Sequence, residues 1–201
     1  ASLGMATKND VLSAQEAVKT AEAGIISIQS SIQSVKQNLQ VMTGWAYNSQ
    51  PEIAPMPQVD VTRIDSMNPE TDLEKALETN YTLMIDKRTL ENTDDAANQQ
   101  IARQTIANDE QKIASGLTDL YNQVLQARDS YNQAQSALAL EEQNMAATQT
   151  RYDLGMVSRL EYLQAQNTYV QSQADFHIQE LSLQAAMDAY DWALKGSLTL
   201  S

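Results

Sequence analysis

The sequence contains no cysteine, little glycine and proline, and few aromatic residues. Among its 201 residues are six Gly, four Pro and no Cys. Without cysteine the chain has no disulfide, no thiol nucleophile and no cysteine-ligated metal, although the cellular compartment stays open. No apolar run reaches the roughly 18 residues that a transmembrane helix needs. The chain begins with Ala and shows no signal peptide, so we expect a mature, trimmed or recombinant fragment.

Basic residues are scarce as well. The formal net charge is −13, which argues against nucleic acid as a partner, because phosphate binding requires a basic surface. The one histidine, His177, has no catalytic or metal-ligating set around it in the sequence. Phosphate-binding loops and zinc-protease motifs are missing too. We therefore predict that the protein is not an enzyme and needs no cofactor and no metal ion.

What the chain does contain is long helical periodicity. Ala, Gln, Leu, Asn, Ser and Thr dominate, which is typical of long helices with narrow apolar seams. The clearest seam predicts a helix over about 7–43 that stops at Gly44. Its members recur in steps of three and four residues: Val11, Ala14, Val18, Ala21, Ile25, Ile28, Ile32, Val35, Leu39 and Met42.

The middle of the chain predicts a break followed by two more helices. Prolines and isolated apolar residues indicate an extended connection over 45–70. Helices are predicted over about 72–92 and about 95–152. The reversal between them is placed at 92–95, where Asn92, Thr93, Asp94 and Asp95 offer capping side chains. A reversal at 108–109 and one unbroken helix are the two alternatives.

The last helix, over about 159–195 after a tip turn at 153–158, carries two apolar stripes. One consists of Leu160, Leu163, Val170, Ala174, Leu181, Ala185 and Trp192. The other consists of Tyr162, Tyr169, Phe176, Leu183, Met187, Tyr190 and Leu194. Two stripes indicate neighbours on two sides, as in a bundle or a ring of helices. The predicted fold class is all-α, a single elongated domain over 1–201 made of long antiparallel coiled-coil helical hairpins.

The sequence also repeats itself. Leu3-Gly4-Met5 returns as Leu154-Gly155-Met156, and Leu12, Ala14 and Gln15 return as Leu163, Ala165 and Gln166 in the same register. A chain that repeats a turn and the helix after it is built from a duplicated hairpin.

The second copy lies in a longer pattern: Arg151-Tyr152-x-Leu154-Gly155-x-Val157-Ser158-x-x-Glu161-x-Leu163-x-Ala165-Gln166, then a helix to Leu194-Lys195-Gly196. Upstream segments fit the same pattern, namely Leu120-Tyr121 with Ala127-Arg128, and Pro55 to Asn68 followed by Ala76-Leu77 and Asn80. On these residues the chain resembles the TolC-like outer-membrane efflux factor family over nearly its whole length.

The resemblance implies a homotrimeric duct in the cell envelope, on the extracytoplasmic side, serving a tripartite efflux or type I secretion-like export system. In that family the Leu-Gly turns form the tip that meets a periplasmic adaptor (membrane-fusion) protein and the inner-membrane pump. The docking candidates by position are Leu3, Gly4, Met5, Leu154, Gly155 and Met156. Asp10 and Glu161 are the implied acidic candidates of the lumen aperture, and each is also placed to cap its helix.

The chain departs from the family pattern in three ways. Gln164 and Ser13 stand where a second acidic residue is often found, which puts a double acidic ring in question. The chain starts at the first tip, and its second repeat lacks the family's strand pair. Either the strands of the β-barrel have been removed, or the protein is a relative of the family that has no barrel. The alternative function is therefore a barrel-less cell-envelope scaffold that binds a partner without conducting. A soluble receptor or adaptor coiled coil would not explain the duplicated turn.

Overall fold

The structure is a computed structural model that describes residues 7–46, 49, 54 and 58–199. Every regular element in these ranges is helical and none is a strand, which confirms the all-α class. The contacts between residues divide the chain into two compact units, Ala1–Met56 and Pro57–Ser201. The sequence had predicted a single domain over 1–201. The boundary lies in the proline-containing connection.

The first unit contains one long helix, α1, Lys8–Thr43. It ends at Gly44, which has a φ of 70°, and the Trp45 N–H donates to the Gln40 carbonyl at 3.0 Å. This closure satisfies carbonyls that the last helical turn leaves unpaired. A single helix cannot cover its own apolar seam, and Val18, Ile25 and Ile32 are all more than half exposed.

The second unit opens with short elements. A 3-10 turn, Val61–Ser66, leads into helices α2, Pro69–Thr79, and α3, Tyr81–Glu91. The predicted extended connection over 45–70 therefore holds a helical turn and the start of α2, because Asn68 caps that helix and Pro69 suits its first position.

The single helix predicted over 72–92 is wrong at Asn80. This residue has extended backbone, with φ −64° and ψ 120°, and it ends α2 and begins α3. Its side-chain oxygen accepts the Leu83 N–H at 3.1 Å. Asparagine favours such a cap because its short polar side chain replaces the missing backbone acceptor.

Two long helices form the body of the second unit. Helix α4, Ala96–Asp153, begins after the capping residue Asp95, and α5, Arg159–Trp192, returns after a short turn. They pack as an antiparallel hairpin, since ring pairs join early α4 to late α5 and the reverse: Tyr121 with Tyr190, Tyr131 with Phe176, and Tyr152 with Tyr162. The reversal between α3 and α4 spans 92–95.

The core of the second unit lies where α2, α3, α4 and α5 meet. Its buried apolar members are Ile64, Met67, Ala76, Leu83, Ile113, Leu117, Val124, Leu183, Met187, Tyr190 and Ala193. The α5 members belong to one of the two stripes that the sequence showed, so that stripe faces inward onto α4. We call it the inner stripe, Tyr162, Tyr169, Phe176, Leu183, Met187, Tyr190 and Leu194, and it is buried or half-buried throughout.

A π-helical turn, Ala193–Ser197, follows α5 directly. Polar bonds fasten α2 and the 3-10 turn to the end of α5 and the residues after it. We call this region the α2–α5 junction, formed by Arg63, Asp72, Thr79, Asn80, Tyr190, Asp191, Leu194, Gly196 and Leu198. The Tyr190 hydroxyl donates to the Asp72 carboxylate at 2.7 Å. Burial raises the pKa of Tyr190, and Asp72 raises it further, so the hydroxyl stays protonated and keeps donating. Arg63 forms an ion pair with Asp191. These bonds fix where the long hairpin joins the shorter helices.

Candidate functional site

The turn between α4 and α5 is the described copy of the repeated Leu-Gly motif. Leu154 ends α4, and Gly155 follows with a φ of 71°. The Gly155 N–H donates to the Tyr152 carbonyl at 2.9 Å and the Met156 N–H to the Arg151 carbonyl at 2.8 Å. This pair of bonds is the Schellman closure, which needs a left-handed residue at the glycine position. The glycine is thus required by the backbone of the turn.

A capping box starts α5 directly after the turn. The Ser158 hydroxyl accepts the Glu161 N–H at 3.2 Å, and the Glu161 carboxylate accepts the Ser158 N–H at 2.9 Å. The two bonds to Ser158 lower the pKa of Glu161, with Arg151 adding a smaller effect. Glu161 therefore carries a negative charge that is exposed and already engaged in capping its own helix.

The turn is held firmly and is apolar on its outside. Tyr152 and Tyr162 stack just behind it, with ring centres 4.6 Å apart. Leu154 and Met156 are 69% and 68% exposed, and Leu160 is exposed beside them. Burying such side chains against a partner would be favourable, because apolar area leaves water. The turn is a small, pre-shaped apolar contact surface.

Leu3, Gly4 and Met5 lie outside the described residues. Asp10 falls within α1, but its side chain is not among those described. The structure places Leu154, Gly155 and Met156 in the turn between α4 and α5, and Glu161 in the first helical turn of α5 directly after it.

No known family model matches the chain, and no curated protein matches it. The resemblance therefore rests on the motif residues themselves. The described residues hold no group of three or more His, Asp or Glu placed to bind a metal ion. Among the helices of the described ranges, none combines the length and apolar character needed to cross a membrane.

A groove of about 560 Å³ runs between α4 and α5, on a side that the inner stripe does not fill. Small and polar side chains line it, among them Ser130, Ala134, Ala137, Thr168, Ser172 and Asp175. The sequence analysis did not single it out, because small polar residues on a helix give no periodic signal.

Replacing Ser158 with Ala should destabilise the hairpin by about 1 kcal/mol, because one orphan N–H at the start of α5 loses its acceptor. The measurement is urea unfolding followed by far-UV circular dichroism. Ser136→Ala is the matched control, since Ser136 lies exposed inside α4 and Ala favours a helix interior. Equal effects of the two substitutions would contradict the role assigned to the cap.

Proposed function

We propose that the protein is a wall segment of a helical export duct in the cell envelope, on the extracytoplasmic side. Several copies, three by the TolC-like resemblance, would stand side by side as a coiled-coil barrel, and the Leu-Gly tips would dock an adaptor protein. The role is passive conduction and docking, without bond chemistry and without a cofactor. The support comes from the uncovered helix faces and from the form of the tip.

The observation that carries the proposal is the stripe of α5 that does not pack onto α4. We call it the outer stripe, Leu160, Leu163, Val170, Ala174, Leu181, Ala185 and Trp192. No element of the unit 57–201 covers it, and its large members are 40% to 65% exposed. An exposed apolar stripe that runs the length of a helix is unusual for a hairpin with no neighbour on that side and marks a helix-packing surface. A lateral helix neighbour would bury it.

Helix α1 also has an exposed apolar seam that a neighbouring helix would bury. In the register of the internal repeat, Val11, Val18, Ile25, Ile32 and Leu39 align with Tyr162, Tyr169, Phe176, Leu183 and Tyr190. Those α5 residues form the inner stripe, which packs against α4. The seam of α1 therefore occupies the register of a helix-packing face, as expected for a duplicated hairpin that belongs to a larger helical assembly.

The tip supports the docking part of the proposal. Its backbone is fixed by the Schellman closure and the capping box, so little order would be lost on binding. Its exposed Leu154 and Met156 offer apolar contact, while Arg151 and Arg159 flank the turn with positive charge. A partner with a complementary apolar tip, such as the hairpin of an adaptor protein, would suit this surface.

The test is the absolute mass of the chain by light scattering on a sizing column over a range of concentrations. We expect a trimer whose population rises with concentration. Val170→Glu should reduce the association constant by at least about tenfold, since it places a charge within the outer stripe. Gln166→Glu is the matched control, because it adds the same charge one turn away at an exposed position off both stripes.

A strict monomer at every concentration would overturn the duct and favour the alternative, a barrel-less coiled-coil scaffold that binds a partner without conducting. A trimer that Val170→Glu leaves intact would place the interface elsewhere than the outer stripe. The two outcomes separate the oligomer from the surface assigned to it.

A further inference from the structure

The angle between the two stripes of α5 constrains the kind of assembly that the helix can join. Successive residues of an α-helix advance by about 100°, so the inner and outer stripes point about 150° apart around α5. Neighbours at right angles are typical of a four-helix bundle, and neighbours on opposite sides would make a flat layer. An angle between these two cases fits a curved wall of many helices. This reasoning rests on the proposed duct, in which a neighbouring helix covers the outer stripe.

A curved wall has a concave and a convex side, and the two stripes divide the surface of α5 between them. The shorter arc between the stripes must face the concave side. Over 166–188 every residue of this arc is polar, and we call these residues the concave face: Gln166, Gln173, His177, Glu180, Gln184 and Asp188. The face therefore separates two apolar stripes by a purely polar strip.

The side chains of the concave face bond to one another along the helix. A ring nitrogen of His177 lies 3.2 Å from the Glu180 carboxylate. The Gln184 amide donates to the Asp188 carboxylate at 2.8 Å. Both bonds join residues three or four apart on α5, which are neighbours on a helix surface. This side of α5 thus offers no apolar area for another helix to bury, unlike the outer stripe.

The groove between α4 and α5 lies on the other side of the helix. Its α5 residues all belong to the longer arc between the stripes: Thr168, Gln171, Ser172, Asp175 and Gln179. Where a wall of helices curves, neighbouring helices splay on the convex side and leave grooves there, whereas they close on the concave side. The position of this groove, of about 560 Å³, therefore indicates the same direction of curvature as the angle between the stripes.

We propose that the concave face lines the lumen of the duct and that the groove opens on its outer surface. A solute in the lumen then meets glutamine amides, which both donate and accept hydrogen bonds, and the pair of His177 and Glu180. Over 166–188 it meets no apolar side chain of α5, because both stripes are turned toward neighbouring helices. This part of the lumen suits hydrated polar solutes and offers no binding surface to apolar ones.

The test uses the absence of cysteine to place single thiols on opposite sides of α5. Gln166→Cys lies on the concave face and Thr168→Cys lies in the groove, two residues away, and both positions are exposed in the hairpin. Each thiol is treated with N-ethylmaleimide and with a bulky polyethylene glycol maleimide, in trimer isolated on a sizing column. We expect both variants to react with the small reagent. Only Gln166→Cys should lose its reaction with the bulky reagent, because the lumen limits the approach of a large molecule.

A second pair of exposed positions, His177→Cys and Asp175→Cys, repeats the comparison, and circular dichroism shows whether each variant keeps its helices. Adding Val170→Glu, which breaks the lateral interface, should restore the reaction of Gln166→Cys with the bulky reagent. A trimer in which both thiols of a pair react with the bulky reagent, or in which the groove thiol is the protected one, would overturn the lumen assignment alone. A chain that stays monomeric would overturn the duct, and the lumen assignment with it.

Discussion

Replacing Gly196 with Ala should destabilise the unit 57–201 by about 3 kcal/mol or more, the largest effect we expect from a single methyl group. Gly196 has a φ of 92°, and a Cβ there would lie 2.1 Å from the Thr79 carbonyl oxygen. Left-handed backbone costs a non-glycine residue about 1–2 kcal/mol, and forced overpacking adds about 1–3 kcal/mol. The backbone of α2 would have to move away from the end of α5.

That movement would break bonds of the α2–α5 junction. The Thr79 hydroxyl donates to the Leu194 carbonyl at 3.0 Å, and the Asn80 amide donates to the Leu198 carbonyl at 3.0 Å. Urea unfolding monitored by Trp192 fluorescence, with Trp45 replaced by Phe in every variant, reports on this unit.

Gly155→Ala separates the two contributions to the Gly196→Ala effect. Its φ is 71°, yet nothing lies within 4 Å of the added Cβ, so it should lose only the roughly 1–2 kcal/mol of backbone strain. If both variants lost the same free energy of unfolding, the close approach of Gly196 to α2 would add nothing to the cost of the methyl group.

Replacing Asn80 with Ala should cost about 2–4 kcal/mol. Asn80 is 1% exposed, and its side chain both accepts the Leu83 N–H and donates to the Leu198 carbonyl. Alanine would leave a buried N–H and a carbonyl without their partners, each costing about 1–3 kcal/mol when unsatisfied. Denaturant unfolding of the same tryptophan-reporter background measures the loss.

Asn68→Ala is the control for Asn80→Ala. Asn68 caps α2 in the same way, accepting the Glu70 N–H at 2.9 Å, but it is exposed, so water can replace it. Its loss should cost only about 1 kcal/mol. A larger cost at Asn68 than at Asn80 would contradict the role given to burial at the junction.

The helices of this chain were readable from sequence because their apolar residues follow the helical period. Helix α1, which occupies Lys8–Thr43, ends at the glycine that the sequence indicated. The two stripes of α5 were also visible, since both repeat with the period of a helix face. Periodicity could not show which of the two stripes packs onto α4, because both consist of apolar and aromatic residues at helical spacing.

The break at Asn80 was missed for a physical reason. The sequence from 72 to 92 keeps helical periodicity through Asn80, and one asparagine inside a helix is ordinary. Only the packing of Thr79 and Asn80 against Leu194 and Leu198 makes an extended residue favourable at this place. A local pattern carries no information on contacts between residues so distant in sequence.

The candidate tip was also readable from the sequence, because its hydrogen bonds join residues that are close together in the chain. The Leu-Gly motif and the Ser158-to-Glu161 spacing stand in the sequence, and both describe local hydrogen bonds that the structure contains at short range. The engagement of the Glu161 carboxylate with the Ser158 N–H is equally local.

The sequence by itself determined the helical class, the position of the Leu-Gly turn and the internal repeat, since each depends on residues within a few turns of one another. The tertiary structure decided which face of α5 packs onto α4 and where α2 gives way to α3. Those outcomes depend on burial, and burial is set by the whole set of neighbours that the fold brings around a side chain.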